Sequence, residues 1–528
     1  MGDRSNRQDW MLLLPASAAL PLDDVLVLGG SDAMAQSLVD HGLARTWRRP
    51  TSPTDRAAFV VAWDECATRM DRIAGHVAPN GMLYLEIDRR HPTRRGLGPR
   101  SVERGLRRGG CRVFSAHLVT PEFSSPRRYL PLDRPKAIRW HLRALYVAGT
   151  PISRAVRAGL AVLMATPKVG ASFLSWVAPR YIVIATAVED DSPAVGIPMA
   201  RGHERAIVVT SGYDQASRAV VLPFAEDGAV PRFAVKVAST PKTAVGTLRE
   251  NERLISLHLT LPSHTARALP KPMGVFSLTG RTACVQSCAP GPSMSATVGR
   301  WRRPLSAKIR DLDAVVDWLT EFALATRVGV AVAERDWTLI YQDAAVVTQD
   351  TPEVVHFLAE SQRIAKSTAL GQYAVHQHYD AGPWNVHIDG AEPMLIDWET
   401  DDLRPADCLG PVLADLLYLL TYWYFLTSST ASESEEEAAI VRLFATVAPA
   451  DGAVVAARGA IDRALVSLGL ERRVVPAALA ALWAERALYT QRRRAILGVP
   501  VAAGQTRPEA FLRALAGAME PMSETYDW

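Results

Sequence analysis

The sequence predicts an α/β domain followed by an α+β region that becomes mostly helical, and three observations predict it. Over roughly the first 190 residues, continuous apolar runs alternate with segments of helical periodicity. From about residue 200, short β-branched runs are separated by turn-rich stretches, the pattern of antiparallel strands. Beyond about residue 305 helical periodicity prevails. At 528 residues, 48% of them apolar, the chain can bury a sizeable core and is too long for one ordinary domain.

The first strand, Asp24–Leu28, runs into Gly29-Gly30, and a helix over 33–41 is closed by Gly42. A second buried strand spans 58–64, a helix 67–77, and Pro79-Asn80-Gly81 predicts a turn into the strand 82–87. From Pro135 to about Val177 the chain reads as helical, with an Arg-rich face at Arg139, Arg143, Arg154 and Arg157. Strand character returns over 181–188, and the acidic, Pro-containing run 189–193 reads as a solvated linker. Strands follow at 206–209, 218–222 and 233–237, then a helix over 243–259. Ser428–Glu437 reads as a polar acidic loop. The expected division is 1–190 with a helical insertion at about 135–178, then 200–288, then 289–528.

Composition narrows the function classes. A net charge of +4 is small for this length and argues neither for nor against a nucleic-acid partner. Lysine is scarce: it occurs only at 136, 168, 236, 242, 271, 308 and 366, so a lysine where chemistry needs one carries weight. The five cysteines show neither paired spacing nor Cys-x-x-Cys, which suits a reducing compartment and gives no zinc signal. The brief apolar run Met11–Leu14 makes no convincing signal peptide. The most membrane-like stretch, Ala158–Thr166, is too short to span a bilayer. A cytoplasmic protein is expected.

The most informative stretch is His378-Tyr379-Asp380-Ala381-Gly382-Pro383-Trp384-Asn385, followed by Asp397 at the end of the apolar run Pro393–Ile396. Phosphoryl transfer from a magnesium nucleotide needs a carboxylate near the acceptor hydroxyl and oxygen ligands for the metal. Asp380 is the candidate base, Asn385 and Asp397 are the candidate metal ligands, and His378 suits a bracing hydrogen bond better than chemistry. Tyr422–Phe425, an aromatic run on a helix, suits core or acceptor-pocket wall.

Segment 378–399 resembles the aminoglycoside phosphotransferase and choline kinase group, relatives of the protein kinases whose catalytic loop usually reads H-G-D-x-x-x-x-N. The resemblance covers about residues 200–528 and departs from the pattern at Tyr379, where the family has Gly. It implies a two-lobed kinase-like fold, with an N-lobe at 200–288 and a mostly helical C-lobe at 289–528, and roles for further residues. Lys236, in Phe233-Ala234-Val235-Lys236, would hold the nucleotide's α- and β-phosphates. Glu250 or Glu252 on the next helix would hold Lys236. Ser217 and the preceding backbone would cap phosphates, although Ser211–Ser217 lacks the glycines of a phosphate loop. Gln286 and Cys288 would offer main-chain groups to the base, and Asp415 would brace the catalytic loop. Mg²⁺ and ATP or GTP are the implied cofactors. The implied partners are the nucleotide and a hydroxylated small molecule or glycan, with no nucleic acid, no transmembrane segment and no oligomeric state specified.

Domain one resembles a class I S-adenosylmethionine-dependent methyltransferase of Rossmann-like fold, closest from Asp71 through Leu83. Val27 and Ser31 replace an expected acidic residue and a glycine. Trp47-Arg48-Arg49 stands where a carboxylate would accept ribose hydroxyl bonds. The resemblance therefore implies a degenerate domain that does not use S-adenosylmethionine. The expected function is a small-molecule or glycan kinase. Its alternatives are a bifunctional methyltransferase-kinase acting on a surface polysaccharide and a pseudokinase-like binding protein.

Overall fold

The computed structural model describes residues 9–14, 21–40, 42–63, 69–91, 95–121, 123, 126–145, 151–187, 206–210, 218–225, 228–238, 241–278, 280–300, 302–329, 336–348, 351–398, 408–430, 432–496 and 506–528. The chain divides into two compact units, Met1–Arg143 with Thr150–Asn251 and Pro272–Cys288, and Ala144–Gly149 with Glu252–Lys271 and Ala289–Trp528.

The first unit is built on a twelve-stranded mixed sheet. Its strands are β1 (Leu22–Leu28), β2 (Ala44–Arg48), β3 (Ala57–Ala62), β4 (Val77–Asp88), β5 (Cys111–Thr120), β6 (Arg128–Pro131), β7 (Arg180–Ala187), β8 (Ala206–Thr210), β9 (Arg218–Pro223), β10 (Phe233–Ala238), β11 (Pro272–Leu278) and β12 (Arg281–Ser287). They lie in the order β11-β12-β10-β9-β8-β6-β5-β7-β4-β3-β1-β2. The pairs β2–β1, β1–β3 and β3–β4 are parallel, and every pairing from β4–β7 onward is antiparallel. Strands β3 and β7 read as near-continuous apolar runs because the sheet buries both their faces. The pair β6–β8 joins strands from before residue 190 and after residue 200 into one sheet. The linker run 189–193 lies outside the described residues.

Helices α1 (Asp32–Asp40), α2 (Met70–Gly75) and α3 (Pro99–Arg108) occur among β1–β5, and α4 (Pro135–Ala144), α5 (Pro151–Leu163) and α6 (Pro167–Val177) lie between β6 and β7. Two details differ from the sequence reading. Pro79-Asn80-Gly81 does not precede the strand but lies inside β4 as a bulge: pairing with β3 jumps from Ala57–Val77 to Phe59–Met82, with Asn80 in the left-handed region at φ 58°. Gly81 is required there, since a Cβ would stand 2.7 Å from the Ala78 carbonyl oxygen. The apolar run after Trp10 is core: it forms a 3₁₀ turn over Asp9–Leu13, and Trp10 stacks on Tyr84 at 4.0 Å.

The long helix α7 (Pro241–Thr260) carries the chain from the first unit into the second. The second unit is mostly helical: α8 (Ser263–Ala266), α9 (Met294–Val298), α10 (Leu305–Ala325), α11 (Ile340–Val347), α12 (Pro352–Ser367), α13 (Ala414–Ser428), α14 (Glu433–Ala445), α15 (Gly452–Leu468), α16 (Val474–Ile496), α17 (Arg507–Ala516) and α18 (Met519–Tyr526). Its short strands are β13 (Val328–Gly329), β14 (Tyr373–His376), β15 (Val386–Asp389), β16 (Glu392–Leu395) and β17 (Leu409–Gly410). Helix α13 is apolar nearly all round and sits at the centre of a core shared with α10, α14, α15, α16 and α17. The acidic run expected as a loop after Ser428 is instead the start of α14. Ser432 accepts from the Glu435 amide and the Glu435 carboxylate accepts from the Ser432 amide, a capping box that turns the acidic residues into a favourable helix N-terminus.

Candidate active site

The local sequence explains how the second unit gathers its polar groups. Asp389-Gly390 favours a tight turn, and Gly390 takes φ 64° there. The β15–β16 hairpin then pairs Val386 with Leu395. Asn385 immediately precedes one strand and Ile396-Asp397 immediately follows the other, so the register brings Asn385 and Asp397 to the same end. The Ile396 amide donates to the Asn385 carbonyl at 2.9 Å, continuing the ladder to that point. Asp397 itself takes a left-handed φ of 70°.

Asp380 is the hub. Its Oδ1 accepts from the Tyr418 hydroxyl at 2.9 Å and from Arg486 Nη2 at 3.4 Å. Its Oδ2 accepts from Asn385 Nδ2 at 2.9 Å and from Trp384 Nε1 at 3.1 Å. The side chain remains 40% exposed, so its carboxylate is reachable. Asn385 Nδ2 also donates to the Asp380 carbonyl at 2.9 Å. Both of these bonds use the amide nitrogen, which orients Oδ1, the oxygen a metal would take, away from Asp380. The donor set of an amide oxygen and a carboxylate fits Mg²⁺, which binds one or two protein oxygens and is otherwise ligated by phosphates and water. Among the described residues no cluster of three or more His, Cys, Asp or Glu converges as a metal cage.

Aromatic rings wall the approach to Asp380. Trp384, Tyr418 and Tyr422 contact one another edge-on, with centroids 4.8 to 6.1 Å apart. Gly382 permits this: a Cβ there would meet the Trp384 ring at 2.4 Å. Arg486 lies over Tyr418 at 4.3 Å and Arg507 over Tyr422 at 5.1 Å. Burial pushes the Tyr418 phenol well above its ordinary pKa, with Arg486 opposing and Asp380 adding, so it stays protonated and donates. Within the aromatic run, Trp423, Tyr424 and Phe425 are core and Tyr422 is half-buried.

The loop is braced from behind. Asp415, in the first turn of α13, accepts the His378 amide at 2.6 Å and the Tyr379 amide at 3.0 Å. His378 Nε2 lies 2.8 Å from the Ile396 carbonyl oxygen, and its Nδ1 accepts the Asp380 amide at 3.2 Å. Those partners require the neutral tautomer with hydrogen on Nε2. Burial, outweighing the pull of Asp380, lowers the His378 pKa to about 4. Tyr379, at the family's glycine position, has φ 66°. Its hydroxyl donates to the Leu409 carbonyl at 3.1 Å, and its own carbonyl accepts from Arg486 Nη1. Its side chain lines a cleft with Trp337, Leu409, Pro411 and Tyr489.

In the first unit, Lys236 on β10 donates to Glu250 Oε1 at 2.6 Å, and Arg218 on β9 donates to Oε2 at 2.6 Å. All three side chains are buried, whereas Glu252 is exposed on the same helix. Gln286 is buried on β12 and Cys288 follows that strand; burial pushes the Cys288 thiol up to about 11. Ser217 and the rest of Ser211–Ser217 lie outside the described residues.

At the carboxyl end of β1, Arg49 closes the glycine turn. Its guanidinium donates to the Gly29 carbonyl, to the Gly30 carbonyl at 2.8 Å and to Asp32 at 3.1 Å. From the other side Trp63 presses on Gly30, where a Cβ would meet the ring at 2.4 Å.

Sequence reasoning missed Arg218, Tyr418 and Arg486. The last two lie about 40 and 100 residues beyond the loop, and their one signal is a polar group in an otherwise buried stretch of helix. No curated protein matches the chain. Residues 211–450 match the model of the phosphotransferase enzyme family (APH), whose fold is that of the protein kinases. Over that stretch, less than half of the chain, the sequence is similar to the phosphotransferase enzyme family.

Proposed function

We propose that the protein transfers the γ-phosphoryl group of a magnesium nucleotide, ATP or GTP, to a hydroxyl of a small molecule or glycan, with Asp380 as the base. The observation that carries this reading is the shared end of the β15–β16 hairpin, which brings Asn385 and Asp397 together while the Asn385 amide is tied to Asp380. Asp380 would accept or orient the acceptor's hydroxyl proton, held in place by Tyr418, Trp384 and Asn385. Asn385 Oδ1 and the Asp397 carboxylate would hold Mg²⁺, which when bound offsets phosphate charge. Lys236, fixed by Glu250, would hold the α- and β-phosphates, and the main chain near Gln286 and Cys288 the base. His378 and Asp415 are assigned structural support. Trp384, Tyr418 and Tyr422 suit the apolar face of a sugar ring.

A nucleotide-consumption screen across sugar, glycan and aminoglycoside acceptors, with Asp380→Ala as the blank, tests the reading. Acceptor-dependent consumption is expected from the parent protein, and Asp380→Ala is expected to bind magnesium nucleotide without turning it over. Undiminished turnover in that variant would remove Asp380 as the base. Nucleotide binding with no turnover by the parent protein on any acceptor would favour the pseudokinase alternative, against which the presence of Lys236, Asp380, Asn385 and Asp397 argues.

For the first unit, the parallel run β2-β1-β3-β4 with antiparallel β7 beside it supports a methyltransferase-like scaffold. Ligands of such sheets bind at the carboxyl ends of the strands. Arg49 occupies the β1 glycine turn there, which supports a non-catalytic role and argues against the bifunctional alternative. Calorimetry with S-adenosylmethionine is expected to show no binding, and micromolar binding would reverse this assignment.

A further inference from the structure

Helices α4 to α6 belong to the part of the first unit that the proposed reaction does not use, and their chemistry is one-sided. From Pro135 through Val177 the chain holds no Asp or Glu and six Lys or Arg residues: Lys136, Arg139, Arg143, Arg154, Arg157 and Lys168. A solvated surface normally intersperses both signs, so an acid-free run of this length is a field of one sign.

The same helices leave large apolar side chains in water. Val162 and Trp176 are each 73% exposed, and Val156 and Val169 are exposed by half or more. On α6, Val169, Phe173 and Trp176 follow helical spacing, and the Phe173 and Trp176 rings lie 6.4 Å apart. Only Gly170 and Leu174 of α6 are buried. The helix is anchored rather than loose. Gly170 sits against Pro135 of α4, Arg100 of α3 donates to Ser172 at 3.1 Å, and Arg89 donates to the Trp176 carbonyl at 2.7 Å. Exposed cations surround it: Lys168 on α6, Lys136 on α4, and Arg100, Arg104, Arg107 and Arg108 on α3, where Glu103 is the one acid.

We propose that this face docks the protein on an anionic lipid bilayer, with α5 and α6 lying in the interface and their cations over the headgroups. Exposed apolar residues with a tryptophan, on short helices rich in Lys and Arg and free of acids, match the requirements of interfacial binding. No helix among the described residues is long and apolar enough to cross a membrane, so the contact is peripheral. Charge selects this occupant: the cations far outnumber the lone Glu103, so a second copy would set one cationic face against another.

The test is co-sedimentation of the full chain with phosphatidylcholine vesicles, with and without phosphatidylglycerol. Binding is expected only with the anionic lipid and should weaken as salt screens it. Lys168→Gln is expected to weaken it about fivefold, one cation's share near an anionic surface. Val162→Ser with Trp176→Ser is expected to abolish it without changing the thermal transition, since both positions are exposed. Three results would overturn the proposal. They are no binding to anionic vesicles, binding indifferent to these substitutions, and a sedimentation-velocity dimer that the double substitution dissociates. The last would assign the face to a second copy.

Discussion

Around Asp380, four side-chain donors serve two oxygens, and they differ in quality. Tyr418 and Asn385 bond at 2.9 Å, Trp384 at 3.1 Å and Arg486 at 3.4 Å, the last long for a hydrogen bond. Arg486 acts mainly by position: it also bonds the Tyr418 hydroxyl at 2.6 Å and the Tyr379 carbonyl, so it ties the loop to α16. Tyr379 needs that tie. A left-handed backbone costs a non-glycine residue about 1–2 kcal/mol, while burying its ring and bonding its hydroxyl contribute more. On the proposed reaction, Arg486→Ala should lower kcat about tenfold to a hundredfold, the range for charge-assisted bonds, with nucleotide KM little changed. Arg486→Lys should recover only part of it, because an ammonium cannot serve three acceptors as a planar fork does. Steady-state kinetics decide: a KM effect at constant kcat would make Arg486 a binding residue. The spacing of His378, Asp380, Asn385 and Asp397 is local and therefore legible in the sequence. Arg486 is not, because helix packing and no sequence spacing brings it to the loop.

At the scale of elements, legibility followed how local the cause was. The strands β1, β3 and β10 are apolar runs that declare themselves, and the β15–β16 hairpin follows from a turn signal between two short runs. The start of α14 was hidden by composition. Ser-Glu-Ser-Glu-Glu is polar enough to read as loop, yet Ser432 and Glu435 stand three apart, the spacing of reciprocal capping. Acidic residues that repel one another in a loop are favourable at a helix N-terminus. Ser432→Ala should therefore destabilise the protein by about 1 kcal/mol, as read from the urea midpoint. Ser432→Asp, which can still accept the amide, should leave the midpoint nearly unchanged, and equal losses in both variants would show that the cap contributes nothing. The pairing of β6 with β8 had no such local signal, since it joins strands about 80 residues apart in the chain.

Across the whole molecule, the buried histidines set the response to acid. Burial lowers His117 to about 4 and His141 to about 3 in the first unit, the latter helped by Arg128, and lowers His378 to about 4 in the second. Each is neutral when folded and free to take a proton near pH 6.5 when unfolded, so between those values the unfolded chain binds more protons. Stability is then full above about pH 6.5 and falls as pH drops toward 4, each histidine contributing on the order of 3 kcal/mol to the loss. Asp311 and Glu436 work the other way, since burial raises both and their protonation in the folded state favours it as pH falls. Arg303 beside Asp311 and Arg507 beside Glu436 oppose that rise, so the histidines should prevail. Urea midpoints measured from pH 7.5 to 4.5 should decline steeply below 6.5, and His378→Gln should flatten part of that decline while lowering stability at pH 7.5. The loss at neutral pH follows because glutamine cannot reproduce the bond to the Ile396 carbonyl and the bond from the Asp380 amide in the same geometry. A midpoint that stays level from pH 6.5 to 4.5 would mean that these imidazoles reach water before the fold is lost.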